Sequence, residues 1–223
     1  MRDADAVAAV AGAMGQPSRA AMLLAMGDGQ AHSASSLAVT AGILPPAASE
    51  HLQQLLRLGL VTVEAAGRER RFRLTGAEVA TALEALLVVA REPGRSPPRG
   101  AIRHARTCYD HLAGKVGVAM TEGCVARGYL HRGDDAFELT PRGAAFFTSL
   151  GIDHEGARRR RRGFARVCID WTERRPHLAG ALGAALASTA MERGWFERLP
   201  GTRALFVTPE GERAVRELFA VAE

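Results

Sequence analysis

The stretch from Ser33 to Leu74 constrains this chain more than any other. Residues 34–41 read as a short helix that ends at Gly42. Pro45 and Pro46 follow, and proline is tolerated in a helix's first turn, where its missing N–H has no partner anyway. A second helix then runs to about Leu58. Ala48, Leu52, Leu55 and Leu56 fall on one apolar stripe of it, while Ser49, Glu50, Gln53, Gln54 and Arg57 occupy the opposite face. Gly59 ends the helix, as glycine commonly does just past a helix terminus. Leu60 to Glu64 and Arg70 to Leu74 read as two strands around a turn that contains Gly67.

A helix that is apolar on one side and rich in Ser, Gln and Arg on the other suits the DNA major groove. Glutamine pairs bidentately with adenine, arginine with guanine, and serine bonds base edges or phosphates. The hairpin tip, Arg68-Glu69-Arg70-Arg71, would reach flanking phosphates or the minor groove. Either element alone is equally an amphipathic helix or a solvated hairpin. The ordered succession of helix, turn, helix, glycine and basic hairpin favours DNA.

Residues 10–75 resemble the winged helix-turn-helix of the ArsR/SmtB repressors. The family pattern Ser-x-His-Leu-x-x-Leu-x-x-x-Gly-Leu-Val reads here as Ser49-Glu50-His51-Leu52, Leu55 and Gly59-Leu60-Val61. Pro17-Ser18-Arg19 matches the family's Asp-Pro-Thr-Arg entry to its second helix, with Gln16 in place of the acid. Three departures stand out. Pro46 and Ala47 replace the usual Ser/Thr opening of the recognition helix. Glu50 stands where a basic or neutral residue is usual. The founding members' metal-binding cysteine pair is absent, since Ser35-Ser36-Leu37-Ala38-Val39 holds no thiol. The resemblance implies DNA contact through Ser49, Glu50, His51, Gln53, Gln54, Arg57, Arg68, Arg70 and Arg71, and a dimer interface that includes the first helix. It does not carry over the original metal site.

At 223 residues the chain has ample core for one or two domains. No apolar run approaches the ~18 residues that span a bilayer, and the N-terminus lacks a signal-peptide core, so a cytoplasmic protein without membrane association is expected. The net charge of +5 suits a polyanionic partner. Residues 3–14 read as a first helix bearing Val7, Val10 and Met14. Ser18 to Met26 reads as a second, with Ser18 as its N-cap. Thr75 to Arg91 is a further helix with Val79, Leu83, Leu86 and Leu87 on one face. The Pro/Gly/Arg-rich stretch 93–99 reads as a linker closing a DNA-binding domain at 1–92.

The second half repeats itself. His111-Leu112-Ala113-Gly114 recurs as His177-Leu178-Ala179-Gly180, and Phe137-Glu138-Leu139-Thr140-Pro141-Arg142-Gly143 as Leu205-Phe206-Val207-Thr208-Pro209-Glu210-Gly211. Cys108-x-Asp110 echoes Cys168-x-Asp170, with an insertion around Thr172 to Arg175 in the second copy. Each copy, 100–152 and 153–223, reads as helix, two-stranded wing and a helix capped by Thr-Pro. The expected fold is therefore mainly α with small β-hairpin wings: an N-terminal winged helix-turn-helix followed by two winged-helix-like repeats. Neither repeat shows a polar recognition helix, so both read as effector-binding or dimerisation modules. The combination resembles a long subgroup of ArsR-type regulators with such a C-terminal extension.

Cys108, Asp110, His111, Cys168, Asp170, Trp171 and His177 converge if the copies pack about a pseudo-two-fold axis, which makes them the candidate effector residues. A set of Cys, His and carboxylate side chains would suit Zn²⁺ or a similar borderline metal, and a thiol near histidine would suit a redox switch. Cys108 and His111, three residues apart, are expected on one helix face. Structural packing, an organic-ligand pocket, and a metal or thiol switch at Cys108, His111, Cys168 and His177 all remain open at this stage. The run Arg158–Arg162 reads either as a phosphate-contacting patch or as a solvated helix paired with Glu155 or Asp153. No phosphate-cradling glycine loop, nucleophile turn or Cys-x-x-Cys pair is present, so no enzyme is expected. The expected function is a dimeric transcriptional repressor, binding double-stranded DNA and released by a small-molecule or metal effector. A winged-helix scaffold for protein contacts, its groove face blunted by Pro46, Ala47 and Glu50, is the alternative.

Overall fold

The computed structural model describes residues 2–67, 69–90 and 100–219. Arg68 and the expected linker 93–99 lie outside the described residues. The chain folds as two units, Met1–Leu83 and Glu84–Glu223.

The first unit opens with α1 (Arg2–Met14) and α2 (Pro17–Ala25). The N-cap of α2 is Gln16 rather than Ser18. Pro17 occupies the first helical position, and the Gln16 side chain accepts from the Arg19 N–H at 2.7 Å. After a short 3-10 turn comes β1 (His32–Ser33), which leads into α3 (Ala34–Ala41). Ser33 caps α3 by accepting from the Ser36 N–H, and Gly42 closes it in the left-handed conformation, φ 63°. Then follow α4 (Pro45–Arg57) and the wing strands β2 (Val61–Ala66) and β3 (Glu69–Leu74). β1 adds to the outer edge of the wing, His32 opposite Phe72, giving an antiparallel three-stranded sheet in the order β1-β3-β2. Met22, Leu23, Leu37, Leu52, Leu55 and Leu74 are fully buried beneath it. Leu56, expected on the buried stripe, is only half-buried.

α5 (Ala77–Ala90) crosses from one unit to the other. Its expected apolar face is only partly used: Leu83 is buried, whereas Leu86 and Val89 are exposed.

The second unit begins with α6 (Ala101–His104) and then runs twice through one motif. The first copy is β4 (Arg106–Cys108), β5 (His111–Ala113), α7 (Gly114–Ala126), β6 (Leu130–Arg132), β7 (Phe137–Leu139) and α8 (Pro141–Ser149). A short α9 (His154–Arg158) intervenes. The second copy is β8 (Arg166–Ile169), β9 (Pro176–Ala179), α10 (Gly180–Glu192), β10 (Phe196–Arg198), β11 (Leu205–Val207) and α11 (Pro209–Leu218). The Cys-x-Asp-His segment is therefore a tight hairpin, not part of a helix. Tyr109 takes a left-handed turn, φ 59°, and Cys108 faces His111 across paired strands. Strands this short show no alternation that periodicity can detect.

The two copies interlock. Arg106 bridges to Ala204 and, at the equivalent positions, Arg166 bridges to Ala136. Each copy's first hairpin thus pairs with the other copy's wing. The glycine of each His-Leu-Ala-Gly motif lets the backbone of its own copy close up tightly. Gly114 and Gly180 have φ 79° and 80°, and a Cβ there would lie 2.7 Å from the Arg103 carbonyl oxygen and 2.5 Å from that of Gly163. The core between the copies holds Leu130, Phe147, Leu182, Trp195 and Phe219, with Cys124 fully buried among them.

The Thr-Pro-x-Gly motifs behave as matched caps. Thr140 and Thr208 accept from the N–H groups of Gly143 and Gly211 at 2.9 and 3.0 Å. Gly211 sits against a backbone carbonyl: a Cβ would lie 2.1 Å from the Trp195 oxygen. Helix propensity alone predicts that Gly211→Ala gains about 0.5–1 kcal/mol. The close approach reverses the sign, so urea unfolding of this variant is expected to show a loss of about 1–3 kcal/mol. Among the described residues no helix is long and apolar enough to cross a membrane.

Candidate functional site

Two assemblies of polar residues stand out, one in each unit. In the first unit α4 exposes Ser49, Glu50, Gln53 and Arg57, whereas His51 and Gln54 are half-buried. Ser49, Gln53 and Arg57 recur every four residues and so form one line along the helix. The Ser49 hydroxyl donates back to the Pro45 carbonyl at 3.0 Å. In the wing, Arg70 and Arg71 are exposed. The Arg70 guanidinium lies 5.6 Å from the Phe72 ring centre, and Arg71 stands 3.5 Å from Glu69. Arg73, which pairs with Glu64 at 3.6 Å, adds a basic group that the sequence reading did not single out. Arg68 falls outside the described residues.

In the second unit the two hairpins bring Cys108, His111, Cys168 and His177 together. Cys108 is opposite His111 in one hairpin and Cys168 is opposite His177 in the other. All four are buried, and their potential ligand atoms lie within 4.8 Å of one another. The two imidazole Nε2 atoms are 3.2 Å apart and the rings stack with centres 5.1 Å apart. This cluster is capable of coordinating a metal. The hydrogen bond with Cys168, reinforced by burial, pushes the Cys108 thiol up to about 12, so it holds its proton unless a cation displaces it. Asp110 stands 3.4 Å from His111 Nδ1 and is itself gripped by Arg162. Burial works against the Asp110 charge, but these two partners still hold its carboxyl below the ordinary range.

Asp170 and Trp171 lie apart from the cluster. Asp170 accepts from the Gly114 N–H at 2.6 Å and from Arg106 at 2.9 Å. Despite burial, the Arg106 charge and bonds from Thr172 and Glu173 keep its carboxyl well below the usual range. Trp171 lies under the Arg106 guanidinium, 5.2 Å from its ring centre. Arg106 is fully buried and also faces Glu84 at 3.6 Å, which Arg203 holds at 2.7 Å. Glu84 and Arg203 were not foreseen.

The Arg158–Arg162 run is not a continuous helix: α9 ends at Arg158. Asp153 and Glu155 are engaged elsewhere, Asp153 capping α9 and Glu155 pairing with His154. Arg158 covers the Phe164 ring at 4.2 Å and Arg162 binds Asp110, while Arg159, Arg160 and Arg161 are exposed.

A third feature is a cavity of about 600 Å³ lined by Val125, Phe137 and Ile169 together with Glu122, Arg132 and Arg174. The loop 170–175, the insertion that distinguishes the second copy, forms one wall through Arg174 and Arg175.

Helix, turn, helix and a basic three-stranded wing define the first unit as a winged helix-turn-helix. Residues 14–64 match the family described as Helix-turn-helix domain. The chain is 44% identical over 213 residues to the uncharacterized HTH-type transcriptional regulator YdfF of Bacillus subtilis (strain 168), covering 93% of this chain and 94% of the relative. The chain belongs to the HTH-type transcriptional regulators; its relatives are regulators rather than enzymes. An alignment of that length cannot be confined to the first unit, so the relative shares the C-terminal repeats. Two solved structures are similar over a smaller part. A homodimeric winged helix-turn-helix domain from Mycobacterium bovis, a possible ArsR-family regulator, is 31% identical (TM-score 0.35) and covers 39% of this chain and 79% of its own. The cadmium metal-sensor CMTR from Mycobacterium tuberculosis is 31% identical (TM-score 0.33), covering 43% and 99%.

Proposed function

We propose that this DNA-binding regulator is a dimeric repressor of ArsR type whose C-terminal repeats receive the effector. The observation that carries the reading is the uncovered polar line Ser49, Gln53, Arg57 on α4, flanked by a wing with exposed Arg70 and Arg71. In a dimer the two α4 helices enter successive major grooves, about 34–36 Å apart on a pseudo-palindrome. Ser49, Glu50, His51, Gln53, Gln54 and Arg57 read or position, and Arg68, Arg70 and Arg71 grip the backbone. Val7 on α1 and Leu86 and Val89 on α5 are exposed apolar side chains that a second copy would cover. Effector binding in the second unit shifts the dimer between two states with different DNA affinity; a few kcal/mol of differential affinity suffice. The cavity bounded by Arg132 and Arg174 supplies room for a small anionic effector with an apolar portion.

Footprinting on the DNA upstream of the protein's own gene tests the reading. Two protected half-sites, 10–10.5 base pairs apart or a multiple of that, are expected. Uniform, weak protection would leave the winged helix as a scaffold for protein contacts. Replacing Arg70 and Arg71 with alanine should weaken binding to all sequences alike. It should also reduce the salt slope of log K by about 4 per dimer, two arginines from each protomer, as measured by anisotropy titration.

A further inference from the structure

We propose that Cys108, His111, Cys168 and His177 form a closed, four-ligand Zn²⁺ site on the pseudo-two-fold axis of the second unit, each repeat supplying one cysteine and one histidine. The inference stands apart from the DNA reading, because it rests on the second unit alone.

The donor set selects the metal class. Two thiolates and two imidazoles suit Zn²⁺ and exclude the hard cations, which take oxygen. The spacing agrees with a tetrahedron. At a Zn–N distance of about 2.0–2.1 Å, two nitrogens on tetrahedral zinc lie about 3.3–3.4 Å apart; the two Nε2 atoms here are separated by 3.2 Å. All four potential ligand atoms fall within 4.8 Å of one another, so a contraction of about 1 Å in the longest separation closes the set.

The surroundings fit a ligand shell. Asp110 accepts from His111 Nδ1–H and leaves Nε2 for the metal, and Arg162 fixes Asp110 in turn. His177 Nδ1 is buried with no hydrogen-bond partner, and its Nε2 meets the His111 Nε2. The immediate apolar neighbours, Ala113 and Ala179, are small and buried and offer nothing to satisfy four polar side chains. Four buried protein ligands leave no open coordination position, which is the mark of a structural rather than a catalytic zinc.

The site explains why the repeat preserves both Cys and His. One ion clips the β4–β5 hairpin to the β8–β9 hairpin, each of which also pairs with the other copy's wing. Binding is balanced by release of the two thiol protons and of any proton on the ligating imidazole nitrogens, which leaves the neutral Zn(S)₂(N)₂ centre.

The test uses the full chain, purified under reducing conditions. Elemental analysis should find one zinc per chain. Loading the apo-protein with Co²⁺ should give the visible d–d bands of tetrahedral cobalt and a near-ultraviolet thiolate charge-transfer band. Zn²⁺ uptake in weak buffer should release two protons or more. Chelation should lower the unfolding midpoint by on the order of 10 °C. Cys168→Ser and His177→Ala should lose the cobalt signature, whereas Cys124→Ser, which removes the buried cysteine elsewhere in the core, should keep it. Substoichiometric zinc with no Co²⁺ spectrum in a natively folded wild-type chain would overturn the site, as would mass spectrometry showing a Cys108–Cys168 disulfide as the native form. These readouts need no DNA, so their failure and that of the repressor reading are distinguishable.

Discussion

Replacing Gln53 and Arg57 together with alanine is expected to abolish sequence-specific DNA binding while leaving the fold intact. Both side chains are exposed on one line of α4, so truncating them removes no core contact. Apolar Ala48, Leu52 and Leu55 anchor the opposite face and are untouched. A good bidentate contact to a base is worth about 1–3 kcal/mol of discrimination. Two such contacts amount to about 2–6 kcal/mol, or roughly 30-fold to 10⁴-fold in affinity, for each half-site of the cognate sequence. Binding to random DNA should fall far less, because it depends on phosphate charge; only Arg57 contributes there. Competition anisotropy with cognate and random duplexes measures the ratio. A double variant that keeps the wild-type preference would show that another surface reads the sequence.

Replacing Arg106 with methionine is expected to produce the largest loss of stability in the second unit. Arg106 is fully buried between two acids, 2.9 Å from Asp170 and 3.6 Å from Glu84. Methionine fills much of its volume but leaves those carboxylates without their shared cation. Arg203 still holds Glu84, so the uncompensated charge falls mainly on Asp170, whose other partners are the N–H groups of Gly114, Thr172 and Glu173 and the Thr172 hydroxyl. Breaking a buried pair on one side costs about 3–5 kcal/mol. For a chain of this size that lowers the unfolding midpoint by on the order of 10 °C, measurable by calorimetry of the full chain. The companion change of Asp170 to asparagine in the Arg106→Met background should recover part of the loss, since it removes the stranded charge. A loss below about 1 kcal/mol in the single variant would mean that solvent reaches the network and screens it.

Much of the first unit was legible because its signals are local. Gly42, the Pro45-Pro46 pair and Gly59 punctuate α3 and α4 within a residue or two, and the apolar stripe of α4 fixes its buried side. β1 escaped notice since two residues have no periodicity; its pairing with Phe72 and Arg71 is set by tertiary contact. The doubled His-Leu-Ala-Gly motif was visible as a repeat, but its cause was not. The glycines are required by carbonyls, of Arg103 and Gly163, that the folding of each copy brings near. The convergence of Cys108, His111, Cys168 and His177 followed from assuming that the copies pack about a pseudo-dyad. The geometry that achieves it is different from the helix face first expected. A two-residue hairpin turn sets residues three apart directly opposite each other, as a helix sets them on one side. Asp170 and Trp171 share the repeat's sequence pattern with the cluster residues, yet the inserted loop carries them to Arg106 instead. The ion-pair chain from Arg203 through Glu84 to Arg106 joins positions far apart in sequence, and no local pattern announces it.

The central claim is that α4 and its wing read a particular DNA sequence. Anisotropy binding of the full chain to the DNA upstream of its own gene, and to a random duplex, across a salt series tests it most directly. The account predicts a Kd of ~10⁻⁸ M or tighter for the upstream DNA at physiological salt, with the random duplex at least ~10³-fold weaker and steeply salt-dependent. Weak and equal binding to both duplexes at every salt concentration would contradict it.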